Sequence, residues 1–188
     1  MADLKTYFVK ASKKFEDAVH KIGEDQWHLA TPCTEWDVRA LMQHIVNEQL
    51  WIRPLLDGKT IAEVGDAFDG DNLGENPVGS WDAAAVDART AVENLDSLEK
   101  TTHLSFGDVP AEEYVMECLF DLHIHGWDLR TAIGADTTLD DDLTSFLMPW
   151  AEPAMKAYQA GGVTAAPPPI PDNASLQTKI LALSGRRG

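Results

Sequence analysis

Apolar side chains recur along this chain at intervals of three and four residues, and nowhere do they hold the alternation of a half-buried strand. That periodicity commits the chain to helices packed on one another, because an amphipathic helix must bury the face it repeats every turn. Residues 2–22 place Leu4, Phe8, Ala11, Phe15, Ala18 and Ile22 at this spacing with charges between them, and Gly23 is the expected stop. Thr34 followed by Asp37 has the form of a capping box for a second helix, whose buried face is Val38, Leu41, Met42, Ile45, Val46 and Ile52. This helix is expected to reach Leu56, with a kink or an early end at Pro54.

Residues 57–80 are rich in Gly, Asp, Asn and Pro and read as a long loop. Its Asp69-Gly70-Asp71-Asn72-Leu73-Gly74 stretch imitates a calcium loop. Leu73 stands at a ligand position, however, and Ser80 stands where a bidentate Glu is needed, so calcium is not expected. Ser80 is expected to cap a third helix over 81–99, with Trp81, Ala85, Ala88, Val92 and Leu95 inward. After a break at Gly107-Asp108, the sequence Asp108, Pro110 and early glutamates opens a fourth helix over 110–133, ended by Gly134. A fifth helix over 140–159 contains Pro149 and Pro153 and is expected to bend. A Pro-rich linker over 165–175 then leads to a short terminal helix, Leu176–Leu183. No strand is expected. The fold class is all-α: a four-helix bundle with a long loop between helices two and three and extra C-terminal helices, as one domain over 1–188.

Charge excludes some partners. With 31 acidic and 15 basic residues the formal net charge is −16, which repels phosphate backbones and anionic lipid, so neither nucleic acid nor membrane is expected as a partner. Cys33 and Cys118 have no paired spacing, which fits a reducing compartment. The amphipathic N-terminus lacks the apolar stretch of a secretion signal, and no apolar run approaches the roughly 18 residues of a membrane span. A cytoplasmic location is expected, which leaves the sequon at Asn173 without a role.

The fourth helix carries the chemistry. Asp121 and His125 stand four residues apart, about 40° from each other around the helix, and Asp128 continues their stripe. A carboxylate and an imidazole among apolar neighbours need partners that offset their desolvation, and a divalent cation is one such partner. His44, at the edge of the buried face of the second helix, could complete the set. Two His and one carboxylate suit Zn, Ni, Fe or Mn and leave positions for water and substrate. The same residues also fit a hydrogen-bonded core His and an ordinary surface pair, and spacing leaves all three readings open. Asp128 could accept from the second nitrogen of a liganding His, or pair with Arg130 or a neighbouring helix. Glu48 is a reserve ligand one turn after His44. Cys33 lies at a helix entry that could lower its pKa, although a buried Cys there is the commoner case. Trp36, Trp51 and Trp127 read as core, with one of the tryptophans lining a pocket, while His20, His28 and His103 read as surface.

The segments TPCTEWDVRALMQHIV (31–46), FDGDNLGENP (68–77), DLHIHGWDLRTAIG (121–134) and LQTKILALSGR (176–186) together resemble the metal-binding domain of mycothiol-dependent maleylpyruvate isomerase. That domain falls within the DinB-like superfamily, and the likeness is to an actinobacterial branch of it. The resemblance implies a DinB-like four-helix bundle with a metal held by a His on the second helix and a carboxylate-x-x-x-His pair on a later one. Residue by residue, those ligands fall on His44, Asp121 and His125. Asp121 is one methylene shorter than the isomerase Glu, and His123, two residues from either ligand, is expected to point elsewhere. The isomerase carries a further C-terminal domain that contributes to its active site, so transfer or isomerisation in general is expected rather than that one reaction.

The resemblance therefore implies a divalent metal, zinc first with nickel, iron or manganese as alternatives, and mycothiol as a co-substrate. The expected partners are a small-molecule thiol and an electrophilic substrate, on a monomer or homodimer. A non-catalytic metal- or ligand-binding module, and a plain structural bundle whose polar stripe is satisfied internally, are the competing readings.

Overall fold

A computed structural model describes residues 3–162 and 166–187. Seven helices are described: α1 (Leu4–Val19), α2 (Val38–Leu56), α3 (Ile61–Val64), α4 (Pro77–Glu93), α5 (Ala111–Ala132), α6 (Asp141–Ala160) and α7 (Leu176–Leu183). Helix α1 packs on α4 and α5, and α2 packs on the same two, which closes the four-helix bundle. The apolar faces meet in a core built on Phe8, Phe15, Leu41, Ile45, Trp81, Leu119, Leu122 and Leu129, all fully buried. Outside the bundle α6 contacts α5, and α7 packs on α6.

Helix α5 is enclosed almost all round. Fourteen of its residues, from Ala111 to Leu129, are buried, so its apolar positions do not form one stripe as those of α1 do. A helix covered on every side has to satisfy whatever polar groups it carries. Gly134, with φ 70°, stands just past its end in a backbone conformation that stops a helix without strain on a Cβ.

Several local expectations are corrected. The cap of α2 is Asp37, whose carboxylate accepts the Ala40 N–H, and Thr34 lies outside the helix in a preceding turn. The stretch 57–80 is not all loop: Thr60 and Glu63 form a capping box on α3, and α4 starts at Pro77 with Asn76 as its cap. Ser80 lies inside α4 and donates its hydroxyl to the Leu73 carbonyl. Helix α4 ends at Glu93, well before residue 99. Helix α2 does reach Leu56, with Pro54 inside it, and α6 contains Pro149 and Pro153. The expected absence of strands is also overturned. An antiparallel hairpin, β1 (Thr101–Leu104) with β2 (Gly107–Pro110), links α4 to α5. Each strand has four residues and only Thr102 is buried, too little to leave an alternating apolar signature. Ala165, where the Pro-rich linker is expected to begin, lies outside the described residues. No helix among the described residues is long and apolar enough to cross a membrane.

Candidate metal centre

Asp37 sets where α2 begins, and His44 follows two turns later on the side of the helix that faces α5. Asp121 and His125 lie one turn apart on α5. The packing of α2 on α5 brings the three together: one ligand atom of each of His44, Asp121 and His125 lies within 4.8 Å of the others. His44 Nε2 is 3.1 Å from Asp121 Oδ2, and His125 Nε2 is 3.9 Å from Asp121 Oδ1. Donor atoms around a tetrahedral zinc lie about 3.3 Å apart, so these separations are of the order one ion requires. Two imidazole nitrogens and a carboxylate oxygen are also the donor types that zinc, nickel, iron and manganese accept. The residues fit a divalent cation.

The surroundings hold this arrangement. His125 Nδ1 stands 2.9 Å from Asp128 Oδ2, so the buried carboxylate accepts the Nδ1 proton and leaves the Nε2 lone pair toward Asp121. Arg186, from the segment after α7, donates to Asp128 through Nη2 at 2.8 Å and Nε at 3.3 Å. Burial alone would raise the Asp128 carboxyl, but the hydrogen bonds from His125 and Arg186 hold it below its ordinary value. Burial likewise works against the charge on Asp121, and its His44 hydrogen bond with the facing imidazoles keeps it low. The Trp36 ring lies 4.7 Å from the His44 ring and 5.6 Å from that of His125, centre to centre. This indole covers both imidazoles and limits their rotation.

The set opens onto a cavity of about 600 Å³. Phe120, Ile124, Trp150 and Met155 give it an apolar wall, and Glu48, Glu117, Tyr114 and Tyr158 a polar one. Glu48 lies 3.9 Å from His44 Nδ1, and burial raises its carboxyl. The Tyr114 hydroxyl is buried without a hydrogen-bond partner among the described residues.

Other residues singled out in the sequence fall as follows. His123 turns away from the centre, with Nε2 2.9 Å from the Thr144 hydroxyl, and burial pushes its pKa down to about 3. Cys33 lines the cavity from the turn four residues ahead of the Asp37 cap of α2, and burial raises its thiol. Cys33, His125 and Asp128 also have ligand atoms within 4.8 Å of one another, but the oxygens of Asp128 are already engaged by His125 and Arg186. Trp36 lines the cavity, whereas Trp51 stacks edge-on against Phe68. His20, His28 and His103 pair with Asp82, Asp37 and Asp108 toward the surface. Asp71, in the segment that imitates a calcium loop, spends its carboxylate on the Leu73 and Gly74 amides and on Arg39.

Sequence reasoning missed Arg186, Glu117 and Tyr158. The only signal for Arg186 was its place in the 176–186 segment. Glu117 is one turn before Asp121 on the same helix, a spacing that could have been noticed.

Comparison with known proteins gives a family and two relatives. The family described as Mycothiol maleylpyruvate isomerase N-terminal domain matches residues 8–130. Two relatives from Mycobacterium tuberculosis, Uncharacterized protein MT0763 of strain CDC 1551 and Uncharacterized protein Rv0738 of strain H37Rv, are each 29% identical over 137 residues, covering 71% of this chain and 69% of the relative. No solved structure matches the chain.

Proposed function

Since the chain belongs to the Mycothiol maleylpyruvate isomerase N-terminal domain family, we propose that it holds one divalent cation, zinc first, through His44, Asp121 and His125. We propose further that it activates a low-molecular-weight thiol such as mycothiol for transfer to, or isomerisation of, an electrophilic substrate. The observation that carries this reading is the convergence of three donor atoms, from two helices, at the wall of a cavity large enough for a small molecule. The cation would supply a lowered thiol pKa, so that a sulfur nucleophile is present at neutral pH.

The residues of the chain do the rest. Asp128 accepts the Nδ1 proton of His125 and so reserves Nε2 for the ion. Arg186 keeps Asp128 anionic and fixed in place. Glu48 lies 3.9 Å from Nδ1 of His44, beyond hydrogen-bond reach, and acts on that imidazole through charge alone. Trp36 lies against both imidazoles and keeps water from that side. The apolar wall of Phe120, Ile124, Trp150 and Met155 would receive the carbon framework of the substrate.

Elemental analysis of purified protein and of the His44→Ala variant tests the reading. One equivalent of metal is expected in the parent and a loss to background in the variant. Thiol-conjugation assays with model electrophiles across several metals then test turnover. A rate no higher than that of metal-free protein would leave only the non-catalytic binding module.

A further inference from the structure

The cavity has a polar feature apart from the three candidate ligands. Tyr158 of α6 donates its hydroxyl to Glu117 Oε1 at 2.8 Å, and both side chains line the cavity. Glu117 precedes Asp121 by one turn of α5, about 6 Å along the helix axis. The charged groups that act on it most strongly are acidic, Glu113 and Asp121 on its own helix and Glu48 on α2, while Arg186, His44 and His125 line other parts of the same cavity. Tyr114 and Cys118 of α5 line the same wall. Burial raises the Glu117 carboxyl to about 7, against the hydrogen bond from Tyr158, and the three carboxylates push it the same way. A carboxyl with no salt-bridge partner among the described residues, oriented by a phenol and open to the cavity, has the geometry of a proton-transfer group.

We propose that Glu117, oriented by Tyr158, carries the proton of the thiol reaction, taking it from the entering thiol and returning it to the electrophile. This rests on the thiol reading above. For addition to a polarised carbon–carbon double bond, the S–H bond breaks and its proton passes to the Glu117 carboxylate. The sulfur electron pair forms the C–S bond. The displaced π pair then takes the proton from Glu117 to form the C–H bond at the neighbouring carbon. Glu117 ends as the carboxylate it began as, and no proton is gained or lost. Tyr158 is a positioning residue: its hydrogen bond favours the carboxylate form and so sets the pH above which Glu117 can accept.

Calorimetry of mycothiol binding to the zinc-loaded protein, in buffers of different ionisation enthalpy from about pH 5.5 to 8, where a free thiol of pKa about 8.5 is still mostly protonated, counts the protons released. In the parent, release should fall from about one proton per thiol to near zero as the pH rises through the Glu117 titration. Glu117→Gln should release about one proton throughout that range, falling only as the free thiol itself begins to ionise, and Tyr158→Phe should move the fall seen in the parent to higher pH. Mycothiol binding with the same release profile in the parent and in both variants would overturn the carrier. A parent that binds zinc but no mycothiol would overturn the thiol reading itself, and the carrier with it.

Discussion

Asp128 never reaches the cavity, yet it sets the state of a candidate ligand. It is fully buried, and its oxygens are shared between His125 Nδ1 and the Arg186 guanidinium. Asp128→Asn would weaken the grip on the Nδ1 proton and leave Arg186 without its counter-charge. We expect a 10–100-fold loss of metal affinity with the helical content retained, read by competition against a chromophoric chelator. Asp140 offers a pH test away from the centre. Burial raises its carboxyl, but hydrogen bonds from Lys10, the Leu143 amide and Lys14 bring it down to about 2. A depressed carboxyl contributes stability above its unfolded value near 3.9, and that stability is lost as pH falls toward 2. Asp140→Asn should flatten this acid limb by roughly 1 kcal/mol after solvent screening, measured as urea midpoints at pH 6 and pH 3. At this scale the sequence was legible where side chains share a helix. The pair Asp121 and His125 could be read from a four-residue interval, and His123 from the angle that turns it away. The partnership of Asp128 with Arg186 could not, because the two are 58 residues apart and meet only through packing.

Among the elements, α2 shows how a local motif can mislead. Both Thr34 and Asp37 are good capping residues, and the sequence offers them in the order of a capping box. The chain uses residues 31–36 for a turn instead, in which Thr31 N–H and Oγ1 donate to the Trp36 carbonyl and the Trp36 N–H donates to Cys33. That turn brings the Trp36 ring against the imidazoles and leaves the cap to Asp37. Asp37→Ala should therefore cost about 1 kcal/mol of stability, while Thr34→Ala, at an exposed turn position, should stay within about 0.5 kcal/mol. Thermal or urea unfolding of the two variants separates these outcomes. Long helices with several buried turns were legible, since α1 and α2 each repeat their apolar positions over sixteen residues or more. The hairpin and α3, at four residues per strand or helix, carry too few positions for any period to register.

For the whole molecule, the sequence pattern established helices and an acidic character, but not which helix lies against which. The pairing of α2 with α5, on which the centre depends, came from the family resemblance rather than from periodicity. A net charge of −16 gives the surface a field that favours cations and opposes polyanions, whatever the cavity binds. The grip of Arg186 on Asp128 also sets a timetable during translation. A nascent chain exposes His44, Asp121 and His125 well before the guanidinium that steadies them, so on the metal reading firm capture is deferred until residue 186 has left the ribosome. Ribosome-arrested chains with a C-terminal extension long enough to bring residue 186 out of the exit tunnel should retain zinc 10–100-fold more tightly than chains arrested with it still inside. Equal retention would mean that the cradle is finished as soon as α5 emerges.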